Sequence, residues 1–174
     1  MSEKSNSILK TSRYEGDFFI AHIMENVITE QSLESLPSHI TLLPKFRALG
    51  CTAIAGFIET LKDIEALDAH IGPRVFGESK YYGKNNEVPV RTIVGEGALS
   101  LMAIHTLFLA RFRPSIYDLS YVGQRYRPHM TIQSNESDPG EGANINIDSA
   151  CLIYKPEGGD YIIYAADKFG HDKN

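Results

Sequence analysis

Cysteine is scarce in this chain of 174 residues, which holds only Cys51 and Cys151. They lie far apart and form no Cys-x-x-Cys pair, which argues against a zinc ribbon. Two free thiols fit a reducing cytoplasm, and both are expected to pack as small hydrophobes. Excess positive charge is also missing. The formal net charge is −5, so a broad surface for coating nucleic acid is excluded, although a small basic pocket for one phosphate is not. Long apolar runs are absent as well. The longest spans Ala98 to Ala110, 13 residues broken by Ser100, His105 and Thr106. A membrane helix needs about 20. The opening residues, Met1 to Ser7, are polar and carry no secretory apolar region. The expectation is a cytoplasmic protein with no membrane contact and no obligate protein partner. No two of the six histidines have compact metal-ligand spacing, so neither a metal nor a cofactor is expected.

What is present is ordinary globular material, 43% hydrophobic and 22% charged. One domain over residues 1–174 can bury a core without disulfides. Asp17 to Met24 is rich in Phe and Ile and reads as a strand. A turn-like stretch over Ser32–Ser38 follows. His39 to Phe46 is a second strand, cut short by Pro44. Cys51 to Ala69 shows helical spacing in Ile54, Phe57, Ile58, Leu61, Ile64 and Leu67, ended by Gly72-Pro73. Arg74–Glu78 and Val88–Val94 read as strands around the polar loop Lys80–Glu87. A second helix covers Ala98 to Phe112, with Pro114 closing it. Then come an aromatic and basic segment, Tyr121–Arg127, and the strand His129–Gln133. Ser134–Ala143 is a polar loop expected to be mobile. The strands Asn146–Tyr154 and Tyr161–Lys168 form a hairpin around Pro156-Glu157-Gly158-Gly159.

This order predicts an α+β fold with mostly antiparallel sheets and helices on their outer faces. A single long-period echo stands out. His39-Ile40-Thr41 and His129-Met130-Thr131 lie half a chain apart, each on a strand, each just after a proline (Pro37 or Pro128). Two pseudo-symmetric lobes, each contributing one His-x-Thr strand, would produce it.

Strand side chains alternate between faces, so His39 and Thr41 share one face while Ile40 and Leu42 take the other. His129 and Thr131 are set against Met130 and Ile132 in the same way. Chemistry explains why such a unit would occur twice. Cleaving a phosphodiester without a metal needs a base for the attacking oxygen and an acid for the leaving oxygen. Imidazole titrates near neutrality and serves either role. The threonine hydroxyls can donate to non-bridging phosphate oxygens as charge builds.

Pro37-Ser38-His39-Ile40-Thr41-Leu42 and Arg127-Pro128-His129-Met130-Thr131-Ile132 resemble the paired His-x-Thr/Ser-hydrophobic motifs of the 2H phosphoesterases, which include 2'-5' RNA ligase-like proteins and cyclic nucleotide phosphodiesterases. The resemblance runs from the strand at Asp17 to the hairpin ending near Lys168. It implies a bilobal α+β fold, two mostly antiparallel sheets facing a central cleft, with helices on the outer faces. It also implies that His39 and His129 flank a phosphate that Thr41 and Thr131 hold. The implied activity is metal-independent hydrolysis of 2',3'-cyclic phosphates or related RNA and nucleotide diesters, with 2'-5' ligation as the reverse reaction in some members. The implied partner is an RNA end or small nucleotide. This chain departs from the RNA ligase-like members after the first motif. It carries Leu43-Pro44-Lys45-Phe46 where they have a phenylalanine-leucine-glycine run, so the substrate stays open.

Lys45, Tyr126 and Arg127 are candidate substrate contacts, with Arg47 and Arg125 as further cations. A base can stack on tyrosine, but such a tyrosine more often packs at a cleft wall. His105, inside the apolar helix, reads as a satisfied core histidine; His22, His70 and His171 read as structural or surface residues. Gly95 and Gly97 before a helix weakly resemble a phosphate-cradling turn. The alternative to an enzyme is a module that binds a nucleotide or RNA end in the same cleft without turnover. A third reading, coincidental motifs in a structural protein, requires the two imidazoles to lie far apart or to be buried separately.

Overall fold

The structure is a computed structural model and describes residues 13–76, 89–133 and 137–170. Nine strands and two helices are assigned in it. In chain order they are β1 (Glu15–Ile23), β2 (Ser32–Leu33), β3 (His39–Leu49), α1 (Gly50–Leu61), β4 (Leu67–Phe76), β5 (Pro89–Val94), α2 (Glu96–Phe112), β6 (His129–Thr131), β7 (Asn144–Ile147), β8 (Ser149–Tyr154) and β9 (Tyr161–Lys168). All pair antiparallel in one sheet ordered β2-β9-β8-β1-β3-β6-β5-β4-β7. The α+β architecture predicted from the element order is the one observed, and where the resemblance implied two facing sheets the strands form one continuous sheet, paired through β3 and β6.

Connectivity forces this sheet to curl. Only Asp148 separates β7, at one edge, from β8, six strand positions away. In a flat sheet, six steps of 4.7–4.9 Å would cover about 29 Å. A single linking residue reaches only about 7 Å, so the two wings must bend towards each other.

The helices share one face of the sheet. On α2, Leu101, Ile104, His105, Phe108, Leu109 and Phe112 recur at three- and four-residue intervals and are buried. Phe112 stacks on Phe46 of β3 with centroids 4.4 Å apart, and Phe57 of α1 lies 6.3 Å from Phe108. Ile40, Leu42 and Met130 point into this core and are fully buried. A smaller cluster of Ala21, Ile23, Cys151, Ile153 and Ile163 covers the opposite face of the β1–β8–β9 wing. Gly97 lets α2 approach β4 closely, because a Cβ there would lie 2.8 Å from the Ala69 Cα. Its role is therefore packing rather than phosphate cradling.

Several sequence expectations are corrected. The first helix stops at Leu61, and Leu67–Ala69 belong to β4. Pairing with β5 and β7 outweighs the helical spacing, and Ala69 and Ile71 are buried on alternate positions. Gly72-Pro73 is an irregularity inside β4, between Ile71 and Arg74, and not a helix end. Pro44 does not cut β3 short. It sits where the β1–β3 register shifts, opposite a stretch of ladder that needs no N–H from it. Residues 32–33 of the expected turn pair with β9. The strand expected over 146–154 is split at Asp148. Cys51 is exposed, whereas Cys151 is buried as expected, with its thiol pushed up to about 12 by desolvation. The polar loop after β6 is tied down over residues 137–140. Arg91 grips Asp138 with two hydrogen bonds of 2.9 Å, and Ser137 bonds to the buried Ser38 at 2.6 Å. The expected loop Lys80–Glu87 and His171 lie outside the described residues. No helix among the described residues is long and apolar enough to cross a membrane.

Candidate active site

The seam between β3 and β6 brings the two His-x-Thr motifs together. His39 lies opposite Thr131, and Ile40 opposite Met130. Continuing the same register sets Thr41 opposite His129. The four side chains form a square on one face, with the histidines on one diagonal and the threonines on the other. Diagonal neighbours in an antiparallel pair are roughly 7–8 Å apart. Burial follows the alternation: His39, Thr41, His129 and Thr131 are half-buried, while Ile40 and Met130 behind them are fully buried. On the far side of β6, Thr92 of β5 is paired with His129.

Both imidazoles are oriented by the same device. His39 Nδ1 is 2.8 Å from the Pro37 carbonyl, and His129 Nδ1 is 2.7 Å from the Arg127 carbonyl. A carbonyl oxygen can only accept, so the proton of each neutral ring sits on Nδ1. Nε2 then carries the lone pair. The proline before each motif, which sequence reasoning noticed only as a turn, thus belongs to a segment whose carbonyl two residues back orients the histidine.

Desolvation holds both histidines below the ordinary imidazole range, partly opposed by these carbonyl bonds. A charge on His39 lowers His129 further. The two rings therefore disfavour being protonated together, and the site favours at most one imidazolium. The hydroxyls of Thr41 and Thr131 have no hydrogen-bond partner among the described residues.

Behind Thr41 the strand is shaped by a bulge. Ala21 pairs with Thr41 and Ile20 with Leu43, which leaves Leu42 as the extra residue. His105 Nδ1–H donates to the Leu42 carbonyl at 2.9 Å, and its Nε2 accepts the Gly123 N–H at 2.9 Å. The Tyr126 hydroxyl donates to the Thr41 carbonyl at 2.8 Å. The Tyr126 ring stacks on His105, centroids 4.0 Å apart and nearly parallel. One neutral imidazole thereby ties α2 to the bulge and to the turn leading into β6.

No protein-family model and no curated protein matches the sequence. Solved structures do match. A phosphoesterase crystal structure superposes with a TM-score of 0.59 at 10% identity, covering 90% of this chain and 99% of that one. E. coli LigT complexed with NADP+ gives 0.57 at 10% identity, over 88% and 97% of the two chains. E. coli LigT complexed with 3'-AMP gives 0.55 at 11% identity, over 90% and 99%. The fold is the one these phosphoesterase and LigT structures share. At such low identity the likeness is one of fold, and it spans nearly the full length of both chains.

Within this fold the remaining candidates divide. Tyr126 is a correction: it is 4% exposed, packed behind β3 with its hydroxyl engaged, and does not offer a face to a substrate. Lys45 lies at the rim of a hollow that Thr41 also lines, with its ammonium 3.0 Å from Asp17 Oδ2. Arg47 shares that carboxylate at 2.9 Å. Arg127 is exposed, and its Nη1 donates to the carbonyls of Gln124 and Tyr126. His22 and His70 bond Ser149 and Asn144 respectively, and neither belongs to the square: His22 pairs with Ile40, so it alternates with Ala21 and Ile23, the residues paired with Thr41 and His39. Among the described residues, no three His, Cys, Asp or Glu side chains group as a metal-binding set.

Proposed function

We propose that this protein is a phosphoesterase that hydrolyses 2',3'-cyclic phosphates or related RNA and nucleotide phosphodiesters. In this reading His39 and His129 are the acid–base pair, and Thr41 and Thr131 hold the phosphate. The observation that carries it is the square at the β3–β6 seam: two imidazoles on one diagonal, two hydroxyls on the other, both rings set in the same tautomer by the carbonyl two residues back. Coincidental motifs would have no reason to meet in register on neighbouring strands. The sheet is read as two wings, each lending one motif.

The chemistry follows from the geometry. The phosphate's negative charge raises the affinity of the pair for one proton, so one ring becomes an imidazolium and the other stays neutral. The neutral Nε2 takes a proton from water as the water oxygen attacks phosphorus. The imidazolium Nε2–H gives its proton to the departing ribose oxygen as the phosphorus–oxygen bond breaks. The proton count of the pair is unchanged. The threonine hydroxyls donate to the non-bridging oxygens. With a ribose 5'-hydroxyl in place of water, the same steps form a phosphorus–O5' bond as the phosphorus–O3' bond breaks, and leave a 2'-5' link. LigT complexed with 3'-AMP and with ATP supports a nucleotide as the kind of ligand this cleft takes.

The test is hydrolysis of nucleoside 2',3'-cyclic phosphates with and without EDTA. His39→Ala and His129→Ala are each expected to lower kcat by about 10²- to 10⁴-fold. Loss of activity in EDTA would refute the metal-free mechanism, and full activity in both variants would refute the site. Tight nucleotide binding with no turnover would establish a binding module instead.

A further inference from the structure

We infer that the hollow beside Thr41 is a nucleoside subsite that receives the base next to the bound phosphate, with a lysine placed for the next phosphate along an RNA end. The inference rests on the proposed phosphate site.

Thr41, Pro44 and Lys45 line the hollow from β3, Asp17 and Phe19 from β1 and Tyr161 from β9, with Leu36 and Lys155 completing it. It therefore touches the square at Thr41 and runs out over the β1–β8–β9 wing. Its volume is about 310 Å³, at the small end of ligand pockets, enough for one nucleoside and too little for a folded RNA. The wall is aromatic: Phe19 and Tyr161 meet edge to face with centroids 6.1 Å apart. Aromatic side chains hold bases by stacking, without needing a particular sequence. Lys155 lies 4.0 Å over the Tyr161 ring, anchored by the Gly159 carbonyl. It makes no ion pair among the described residues. Lys45, by contrast, is bound to Asp17. The mouth thus carries net positive charge in a chain of net charge −5, as a polyanion's next phosphate requires.

Kinetics on adenosine 2',3'-cyclic phosphate and on a dinucleotide ending in a 2',3'-cyclic phosphate test this. Tyr161→Ala is expected to raise KM for the mononucleotide about 5- to 100-fold, as loss of one stacked base would. The kcat should change less than about twofold, since no reacting atom is touched. Tyr161→Phe and Phe19→Tyr, which keep a ring, should leave KM near the parent's. Lys155→Gln should raise KM for the dinucleotide by a larger factor than for the mononucleotide, and an equal change in both would overturn its assignment to the next phosphate. Should Tyr161→Ala not fold, Phe19→Leu reads the same stacking wall. An unchanged KM in folded Tyr161→Ala or Phe19→Leu, with the parent turning over, would overturn the subsite and leave the phosphoesterase reading intact. If the parent does not turn over, calorimetric binding of adenosine 2',3'-cyclic phosphate that weakens in Tyr161→Ala supports the subsite while the catalytic reading fails.

Discussion

Replacing Tyr126 with phenylalanine removes one oxygen atom and keeps the ring stacked on His105. The hydroxyl donates at 2.8 Å to the Thr41 carbonyl, and the tyrosine is 4% exposed. Water does not readily replace a donor there. An ordinary hydrogen bond contributes about 0.5–1.5 kcal/mol net, and a buried acceptor left unsatisfied costs about 1–3 kcal/mol. The loss should therefore be about 1–3 kcal/mol. In a domain of this size each kcal/mol moves the melting midpoint by roughly 2–4 °C, so Tm should fall by roughly 2–12 °C. Activity should fall further than stability implies, because that carbonyl belongs to the residue whose hydroxyl is proposed to hold the phosphate. A shift of Thr41 by a fraction of an ångström should lower kcat about 10-fold or more below Tm, since a misplacement of 1 Å can cost about 100-fold. Circular dichroism melting and cyclic-phosphate hydrolysis at 20 °C measure the two effects. A variant that melts within a degree of the parent and turns over at the same rate would refute the idea that Tyr126 holds the bulge in place.

Burial depresses His39 and His129, and a charge on one disfavours a charge on the other. The maximum in kcat/KM should therefore lie on the acid side of the ordinary histidine value of about 6.5, and ring-proton NMR titrations of the free protein should place both midpoints below it; midpoints above it would contradict the burial argument. His22 and His105 are depressed by desolvation as well. Folded values below unfolded ones mean that the stability of the neutral rings is fully present above about pH 6.5 and is lost as pH falls through that value towards the folded ones. Thermal melts at stepped pH should show this, and a Tm that rises on acidification over that window would be inconsistent with it. Gly97→Val forces side-chain carbons against the Ala69 Cα and the Asp68 carbonyl, each 2.8 Å from a Cβ at that position; overpacking of this kind should cost about 1–3 kcal/mol, read by urea unfolding. Arg91→Ala leaves Asp138, among the described residues, with Arg74, 4.0 Å away, and the Gly140 N–H. Faster amide exchange at Gly140, with the β1–β8 core unchanged, is the expected signature.

The make-up of the candidate site was readable from residue order because it rests on a local rule. Alternation along a strand puts His39 with Thr41 and His129 with Thr131 whatever the rest of the chain does. The α+β class and the second helix were readable for the same reason, since α2 keeps its apolar spacing over four turns. Periodicity failed at Leu67, where Ile64 and Leu67 extend a helical pattern by chance and sheet pairing with β5 and β7 decides otherwise. It also failed at Pro44, because a bulge is a relation between two strands and cannot be seen in one. Tyr126 looked like a ligand contact in sequence, and only its position behind β3 shows that its hydroxyl is spent on Thr41. The meeting of the two motifs is a long-range fact. It depends on β3 pairing with β6 in a single register, and a slip of one residue would have turned one histidine into the core. Local alternation thus chose which residues point together, and the non-local ladder chose what they point at.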